Sequence, residues 1–152
     1  MLNHRQLKWV IVGGGYVNDY KGYAEEVGVE KLITFTGHLD RPFPAIAAMD
    51  IFLLLSTAHE GISQATLQAA YLEKPLITTN VGGLPEVCLD GKTGLIVPPF
   101  SPERIADAVQ KLAADPKLRQ KMGANGRKLV EKKYLLQQTV DQMEQVYSDL
   151  IQ

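Results

Sequence analysis

A glutamate, Glu60, stands in a loop where an anionic ligand would be expected to bind. The loop Ser56–Ser63 joins the apolar run Ile51–Leu55 to a segment with helical character. A helix N-terminus leaves backbone N–H groups unpaired and carries partial positive charge, which suits phosphate groups. Gly61 would allow close approach of the backbone. Because Glu60 would repel a phosphate, it either accepts hydrogen bonds from sugar hydroxyls beyond the phosphates or merely complements the helix dipole.

A second loop of the same kind follows the next apolar run, Leu76–Thr79. It contains Gly82 and Gly83 and leads into one predicted helical turn, Pro85–Leu89, which includes Glu86. Ligands of open α/β sheets bind beyond the carboxyl ends of the strands. Two phosphate-compatible loops on adjacent elements therefore indicate a binding site more strongly than a lone glycine motif would.

Two other glycine-containing segments match nucleotide-binding motifs only in part. The triple glycine at residues 13–15 suggests a dinucleotide fingerprint, but Asn18 replaces the third glycine of that pattern. The Gly-Lys-Thr at residues 91–93 suggests the end of a phosphate loop, but Glu86 replaces the first glycine and a strand follows. We interpret the first as a tight turn that a ligand or backbone can approach, and the second as a surface turn.

The histidines and the cysteine do not form a metal-site pattern. His4, His38 and His59 lack the spacing of metal ligands, and Cys88 is the only cysteine of the sequence. We interpret His4 and His38 as surface or hydrogen-bonded residues, whereas the role of His59, in the candidate ligand loop, stays open. No metal and no other cofactor is expected.

The candidate loops require strands and helices that alternate, and the sequence shows this alternation. Strands are predicted at Trp9–Val12, Leu32–Phe35, Ile51–Leu55, Leu76–Thr79 and Leu95–Val97. Helices are predicted at Asn18–Val27, Pro44–Met49 and Ser63–Glu73, and then in three segments that begin at Ser101, Asp115 and Gln137. The pattern predicts an α/β fold: one Rossmann-like three-layer domain over residues 1–152, with a mostly parallel sheet of about five strands and a helical C-terminus.

Several segments together carry a family resemblance. They are Trp9–Gly15, Phe35-Thr36-Gly37, the strand at residues 48–56, Glu60-Gly61, Leu67, Ala69, Pro75, Gly82-Gly83, Glu86, and Asp90-Gly91 with Gly94-Leu95. In combination they resemble the C-terminal, donor-binding domain of retaining GT-B glycosyltransferases, family 4 or group 1. The resemblance covers nearly the whole chain, and the combination is specific although each segment alone is weak.

The resemblance implies a hexosyltransferase that takes a glycosyl group from a nucleoside diphosphate sugar and transfers it with retention, without a metal. The candidate catalytic residue, Glu60, would contact the donor sugar. The diphosphate or sugar would be held by Gly61, Ile62 and Ser63, and the ribose by Gln68. The base would meet a loop that contains Gly37, His38, Leu39 and Arg41. Supporting positions would be Gly13, Gly15, Gly82, Gly83 and Glu86.

The sequence departs from the family pattern at three places. Gln68 replaces a glutamate; we expect it to remain a ribose ligand, the alternative being a solvated helix residue. Glu73 and Lys74 replace a small residue and a glycine. The family's basic pair and its N-terminal acceptor domain do not occur in the sequence. We therefore expect a missing domain or partner chain, no sugar transfer by the chain alone, and a weakly anchored helix from Gln137 to Gln152 that invites association.

The composition argues against nucleic acid and membrane-spanning segments but does not exclude other functions of the domain. The 152 residues carry a net charge of −1, which gives no general attraction to nucleic acid or anionic membranes. No apolar run is long enough to span a membrane, so we expect a cytoplasmic protein, with peripheral membrane contact of a full-length enzyme left open. The alternatives are an epimerase-like domain and a non-catalytic nucleotide-sugar-binding module. A signalling receiver domain is disfavoured, because Gly13 and Ser56 stand where it needs carboxylates.

Overall fold

The computed structural model describes residues 7–151 in two compact units. The N-terminal unit is Met1–Met49 and the C-terminal unit is Asp50–Gln152. The interpretation of His4 concerns a residue outside the described range. Each unit has its own parallel sheet, and we describe each by itself.

The N-terminal unit contains a pair of parallel strands and two helices. Its elements are β1 Trp9–Val12, α1 Val17–Glu26, a 3₁₀ turn at Glu30–Leu32, β2 Ile33–Gly37 and α2 Phe43–Ala47. Strand β1 pairs with β2 in a register that places Trp9 beside Ile33. The larger side chains of α1 are mostly exposed: only Ala24 of that helix is buried, whereas Tyr20 and Tyr23 are exposed.

The C-terminal unit contains three parallel strands and most of the helices. Its elements are β3 Phe52–Leu54, α3 Gln64–Tyr71, β4 Leu76–Thr79, α4 Leu84–Val87, β5 Gly94–Val97, α5 Pro102–Ala114, α6 Pro116–Lys133 and α7 Leu136–Ile151. The strand order is β3-β4-β5. The continuous apolar run at β3 predicted a strand covered on both faces, but β3 is only partly buried and β4 is buried throughout. The reason is position, since β4 is the central strand of this sheet and β3 is an edge strand.

The predicted fold class is confirmed, with one difference in the sheet. Within residues 7–151 the five strands form a two-stranded and a three-stranded sheet, and every pairing between them is parallel. The alternation of strands and helices determines the parallel arrangement, because each crossover returns the chain to the same end of the sheet. Alternation does not determine how many strands join into one sheet.

Helices α3 and α6 approach closely, and small residues make the approach possible. A Cβ atom added to Gly123 would lie 2.0 Å from the carbonyl oxygen of Glu73. Glu73 itself has a φ of 58°, a left-handed conformation in which glycine is the usual residue. The departure from the family pattern at this position therefore falls where α3 ends, and the packing of α6 holds the strained residue in place.

The last helix lies outside the core. None of the residues along Leu136–Ile151 is buried. Its apolar side chains, among them Leu136 and Leu150, are exposed. The expectation of low protection against hydrogen exchange and of association through this helix stays a prediction.

Candidate functional site

The carboxyl ends of β3 and β4 bring the two candidate loops of the C-terminal unit together. The strands pair in parallel, with Phe52 beside Leu76 and Leu54 beside Thr78, so both chains leave the sheet at one edge. Beyond that edge, the Thr79 hydroxyl donates a hydrogen bond of 2.6 Å to the carbonyl oxygen of Ser56. This bond ties the start of one loop to the start of the other.

Glu60 is held by contacts to both loops. The Ser56 hydroxyl donates to Glu60 Oε2 at 2.6 Å, and the Gly83 amide donates to the Glu60 carbonyl oxygen at 3.1 Å. The preceding residue, His59, has a φ of 55°, so the chain turns sharply just before the glutamate. Hydrogen bonds to an ionised carboxylate are short and strong, and this one fixes one oxygen while the other remains an acceptor.

The double glycine is required by close backbone contact rather than by flexibility. A Cβ on Gly82 would lie 1.7 Å from the Glu60 carbonyl oxygen, and Gly82 also has a φ of 54°. A Cβ on Gly83 would lie 2.8 Å from the amide nitrogen of Ile62. Only glycine fits at these two positions, so this pair positions the whole segment from Glu60 to Ile62.

At the start of α3, the structure confirms the helix start at Ser63, whereas anion binding there stays a prediction. Ser63 caps the helix, and its hydroxyl accepts a hydrogen bond from the Thr66 amide at 3.5 Å. Gly61 and Ile62, directly before the cap, are exposed. The exposed backbone between Glu60 and Ser63 is therefore accessible to a ligand at the positive end of the helix dipole.

Gln68 and Glu86 are near this arrangement in sequence but are not bonded to it. Gln68 lies on α3, is partly buried, and its side-chain amide makes no hydrogen bond to any described residue. Glu86 lies on α4 with an exposed side chain, and its carbonyl oxygen accepts a hydrogen bond from the Tyr134 hydroxyl at 3.3 Å. Burial, and then the charge of Glu86, raises the pKa of Tyr134. The described contacts of Glu86 are therefore with Tyr134, just after α6, and none is with Glu60.

The remaining predicted site residues belong to the N-terminal unit. Gly13 donates a backbone hydrogen bond of 2.9 Å to the Gly37 carbonyl oxygen, so the turns after β1 and β2 meet. Gly15, Gly13 and Gly37 all have positive φ values. Beyond Gly37, His38 lies 3.4 Å from Asp40 on the surface, Leu39 is partly buried, and Arg41 is exposed. The structure thus groups the predicted base-binding residues at the carboxyl end of this unit's sheet.

Two residues of the site had no assigned role in the sequence. Ser56 holds the glutamate and Thr79 holds Ser56, although both were visible only as polar residues at strand ends. Their positions could have indicated a role, because Ser56 follows β3 and Thr79 ends β4, and these strands are neighbours in the sheet. Within residues 7–151, no group of three or more His, Cys, Asp or Glu side chains is arranged to hold a metal ion.

The parallel strands and the helices that follow them define the class as a Rossmann-like α/β fold. Comparison with known proteins makes the class more specific. The family described as "Glycosyl transferases group 1" matches residues 1–129. The chain therefore belongs to the group 1 glycosyltransferases.

Characterised relatives agree with this family. An alpha-D-kanosaminyltransferase of Streptomyces kanamyceticus is 30% identical over 148 residues, which are 96% of this chain and 38% of the relative. A GDP-mannose-dependent alpha-(1-6)-phosphatidylinositol monomannoside mannosyltransferase of Mycobacterium tuberculosis is 38% identical over 130 residues, 80% of this chain and 34% of the relative. The chain spans a little over a third of the length of these proteins.

A solved structure supports the fold. Anabaena HepE, crystallised in complex with UDP, superimposes with a TM-score of 0.90 over 95% of this chain and 41% of its own, at 20% identity. This confirms the predicted GT-B type of fold. No helix among the described residues has both the length and the hydropathy needed to cross a membrane.

Proposed function

We propose that this chain binds a nucleoside diphosphate sugar and serves as the donor-binding part of a retaining glycosyltransferase. The observation that carries the proposal is the fixed carboxylate of Glu60 beside the exposed N-terminus of α3. A phosphate needs amide donors and positive potential, whereas a sugar needs fixed acceptors for its hydroxyls. The segment from Glu60 to Ser63 offers both within four residues.

Glu60 would act on the donor sugar. Ser56 occupies one carboxylate oxygen, so the other would accept hydrogen bonds from sugar hydroxyls. A carboxylate held before the ligand arrives loses little freedom on binding, which favours affinity and orientation. Positioning of the glycosyl group in this way supplies part of the rate of transfer.

The diphosphate would bind at the backbone of Gly61, Ile62 and Ser63. Amides at a helix start are preorganised donors for negative charge, and they need no metal to act. Charge develops on the diphosphate as the glycosyl bond breaks, so these donors would favour the transition state. Transfer without a metal and with retention remains part of the proposal and rests on the family resemblance.

Gln68 would hold the ribose, because its amide is partly buried and has no partner in the described chain. It can accept from one ribose hydroxyl and donate to the other. The base would contact the loop from Gly37 to Arg41. Relatives and similar structures are named for GDP-mannose or were solved with UDP, so both nucleotides are sensible first ligands.

Sugar transfer would also require an acceptor site. We propose that residues beyond this chain, in the same polypeptide or a partner, supply it, and that the 152-residue chain alone transfers no sugar. An epimerase-like activity would instead convert the sugar nucleotide itself. Product analysis with a supplied acceptor part distinguishes the two.

Isothermal titration calorimetry tests the binding proposal with UDP, UDP-glucose, GDP and GDP-mannose. Glu60→Gln should leave binding of the diphosphates nearly unchanged but weaken the matching sugar nucleotide by about 1.5–3 kcal/mol. Ser56→Ala should weaken it in the same sense but less, because Glu60 remains. The matched control is Glu103→Gln, which removes an exposed carboxylate on α5 of the same unit.

Two results would contradict the proposal. If the parent chain binds none of the four nucleotides, the loops are not a donor site. If Glu60→Gln weakens diphosphate and sugar nucleotide equally, Glu60 does not contact the sugar. Gln68→Ala tests the ribose: a loss of about 1 kcal/mol that disappears with a 2′-deoxy nucleotide assigns the contact, and equal affinity for both forms in parent and variant excludes it.

A further inference from the structure

Charge is distributed unevenly between the last two long helices of the C-terminal unit. Helix α6 carries seven basic residues and one acidic residue. Helix α7 carries three acidic residues and no basic one. The net charge of −1 for the whole chain conceals this separation. A local surface of one sign can attract a charged partner even when the total charge is near zero.

The two arginines of α6 are used within the fold. Arg119 donates from Nη1 to the carbonyl oxygens of Leu112 and Ala113, at 2.7 and 3.0 Å, and so satisfies the end of α5. Arg127 donates to Glu131 at 2.8 Å and lies over the Tyr71 ring at 5.0 Å. Both side chains are thus held by contacts within the fold, although Arg127 remains partly exposed.

The lysines of α6 are free and lie mostly on one face. All five are exposed, and no carboxylate of the described chain lies within 4.0 Å of any of them. At 100° per residue, four of them fall within an arc of about 60° along a length of about 22 Å. We call these four the lysine stripe: Lys117, Lys121, Lys128 and Lys132.

An apolar pair follows directly. Leu135 and Leu136, just after the end of α6, are 40% and 80% exposed. Consecutive Cα atoms are about 3.8 Å apart, so Leu135 lies within about 12 Å of Lys132. Exposed leucines gain nothing from water or from a purely polar partner, whereas the acyl boundary of a bilayer would accept them.

We propose that the lysine stripe, together with Leu135 and Leu136, docks this chain onto an anionic lipid bilayer. The strength of peripheral membrane binding scales with the apolar area that is buried and with the electrostatic attraction to anionic lipids, and this surface offers both. Nucleic acid fits less well, because its recognition favours the bidentate guanidinium of arginine, and both arginines of α6 are engaged. The proposal does not rest on donor binding. It concerns only the local charge of α6, and the expectation from net charge of no general attraction to anionic membranes stays a prediction.

Vesicle co-sedimentation of the 152-residue chain tests the proposal. One set of vesicles is pure phosphatidylcholine, and in the other about one third of the lipid is phosphatidylglycerol. We expect binding to the anionic vesicles at low salt, little binding to the neutral ones, and loss of binding at high salt. Each lysine near the surface should contribute about fivefold in partitioning.

Matched variants assign the surface. Replacing the four lysines of the stripe with Gln should lower binding to anionic vesicles by about 100-fold or more. Replacing Lys21, Lys31, Lys92 and Lys111 with Gln removes the same charge from other exposed positions and should have a much smaller effect. Leu136→Ser should weaken vesicle binding without changing its salt dependence. Circular dichroism checks that each variant is folded.

Three results would overturn the proposal. One is equal binding to neutral and anionic vesicles. Another is equal loss in both four-lysine variants, which would mean that total charge matters and not the stripe. The third is binding of the parent to single-stranded poly(U) RNA but not to anionic vesicles, which would assign the stripe to nucleic acid.

Discussion

The loops after β3 and β4 and the loops after β1 and β2 use glycine for different reasons. In the C-terminal unit, a Cβ on Gly82 would overlap the Glu60 carbonyl oxygen, so glycine permits contact between two backbones. In the N-terminal unit, a Cβ on Gly13 or Gly37 would meet no described atom within 4 Å, and their positive φ values are the reason for glycine. Similar glycine-rich sequences thus form two different structures. We call the loops after β3 and β4 the packed edge and the loops after β1 and β2 the open edge.

The difference extends to the surrounding side chains. The packed edge is supported by β4, which is buried throughout, and by an interlocked pair of hydrogen bonds through Ser56. The open edge carries an exposed contact of 3.4 Å between His38 and Asp40. A rigid loop would suit the fixed groups that we propose to orient a sugar and its phosphates.

The largest effect on stability should come from adding a side-chain atom where two backbone segments of the packed edge touch. Gly82→Ala should lower the free energy of unfolding by about 3 kcal/mol or more, because the added carbon overlaps a carbonyl oxygen and φ is positive. The control is Gly14→Ala, where no described atom lies within 4 Å. Urea denaturation of both variants gives the comparison. Equal stability of the two would mean that the edges do not differ.

The second effect concerns pH and the buried thiol of Cys88, which contacts backbone carbonyl groups of β4 and β5. Burial raises the pKa of Cys88 to about 11 from an ordinary value of 9.0. The unfolded chain loses this proton first, so the stabilisation is complete below about pH 9 and is lost as the pH rises through 11. The loss should be on the order of 2 to 3 kcal/mol, since each pH unit corresponds to about 1.4 kcal/mol.

The parent and Cys88→Ala are compared by denaturation from pH 8 to about pH 11. Titration of lysines and tyrosines is common to both proteins, so the difference between the two curves reports Cys88. A constant difference over this range would show that the thiol is not in a dry environment.

The third effect compares one threonine from each edge. Thr79→Val removes the hydrogen bond to the Ser56 carbonyl and should cost about 1 kcal/mol, because that threonine is buried. Thr36→Val removes bonds of 2.9 and 3.4 Å at the open edge, where water can replace them, and should cost about half as much. Thermal unfolding measures both, and a larger loss for Thr36→Val would reverse the comparison.

The smallest effect should be at the exposed pair. Asp40→Asn should change the free energy of unfolding by less than about 0.5 kcal/mol, because both side chains are more than three-quarters exposed and solvent screens them. Denaturation at low and high salt checks this value. A loss of more than about 1 kcal/mol would indicate that the open edge is more ordered than its exposure suggests.

Local sequence determined the elements and the family. Strands at Trp9–Val12 and Leu76–Thr79 agree with the predicted bounds, and Ser63 and Asp115 cap helices as predicted. These features depend on residues within a few positions of one another, so propensity and capping chemistry are enough to place them. Each family motif is a short run of neighbouring residues, so the sequence alone was enough to indicate the group 1 family.

Tertiary structure alone decided how distant residues combine. The local sequence does not predict the hydrogen bond from Thr79 to Ser56 or the backbone contact between Gly82 and Glu60. It also does not predict that the strands divide into two sheets. The exposure of Tyr20 and Tyr23 on α1 likewise depends on which surfaces the rest of the chain covers. Tertiary contacts also decide the roles of the basic residues of α6: its two arginines donate hydrogen bonds within the described fold, whereas its lysines do not. Contacts between residues far apart in sequence depend on the global arrangement, which local propensity does not encode.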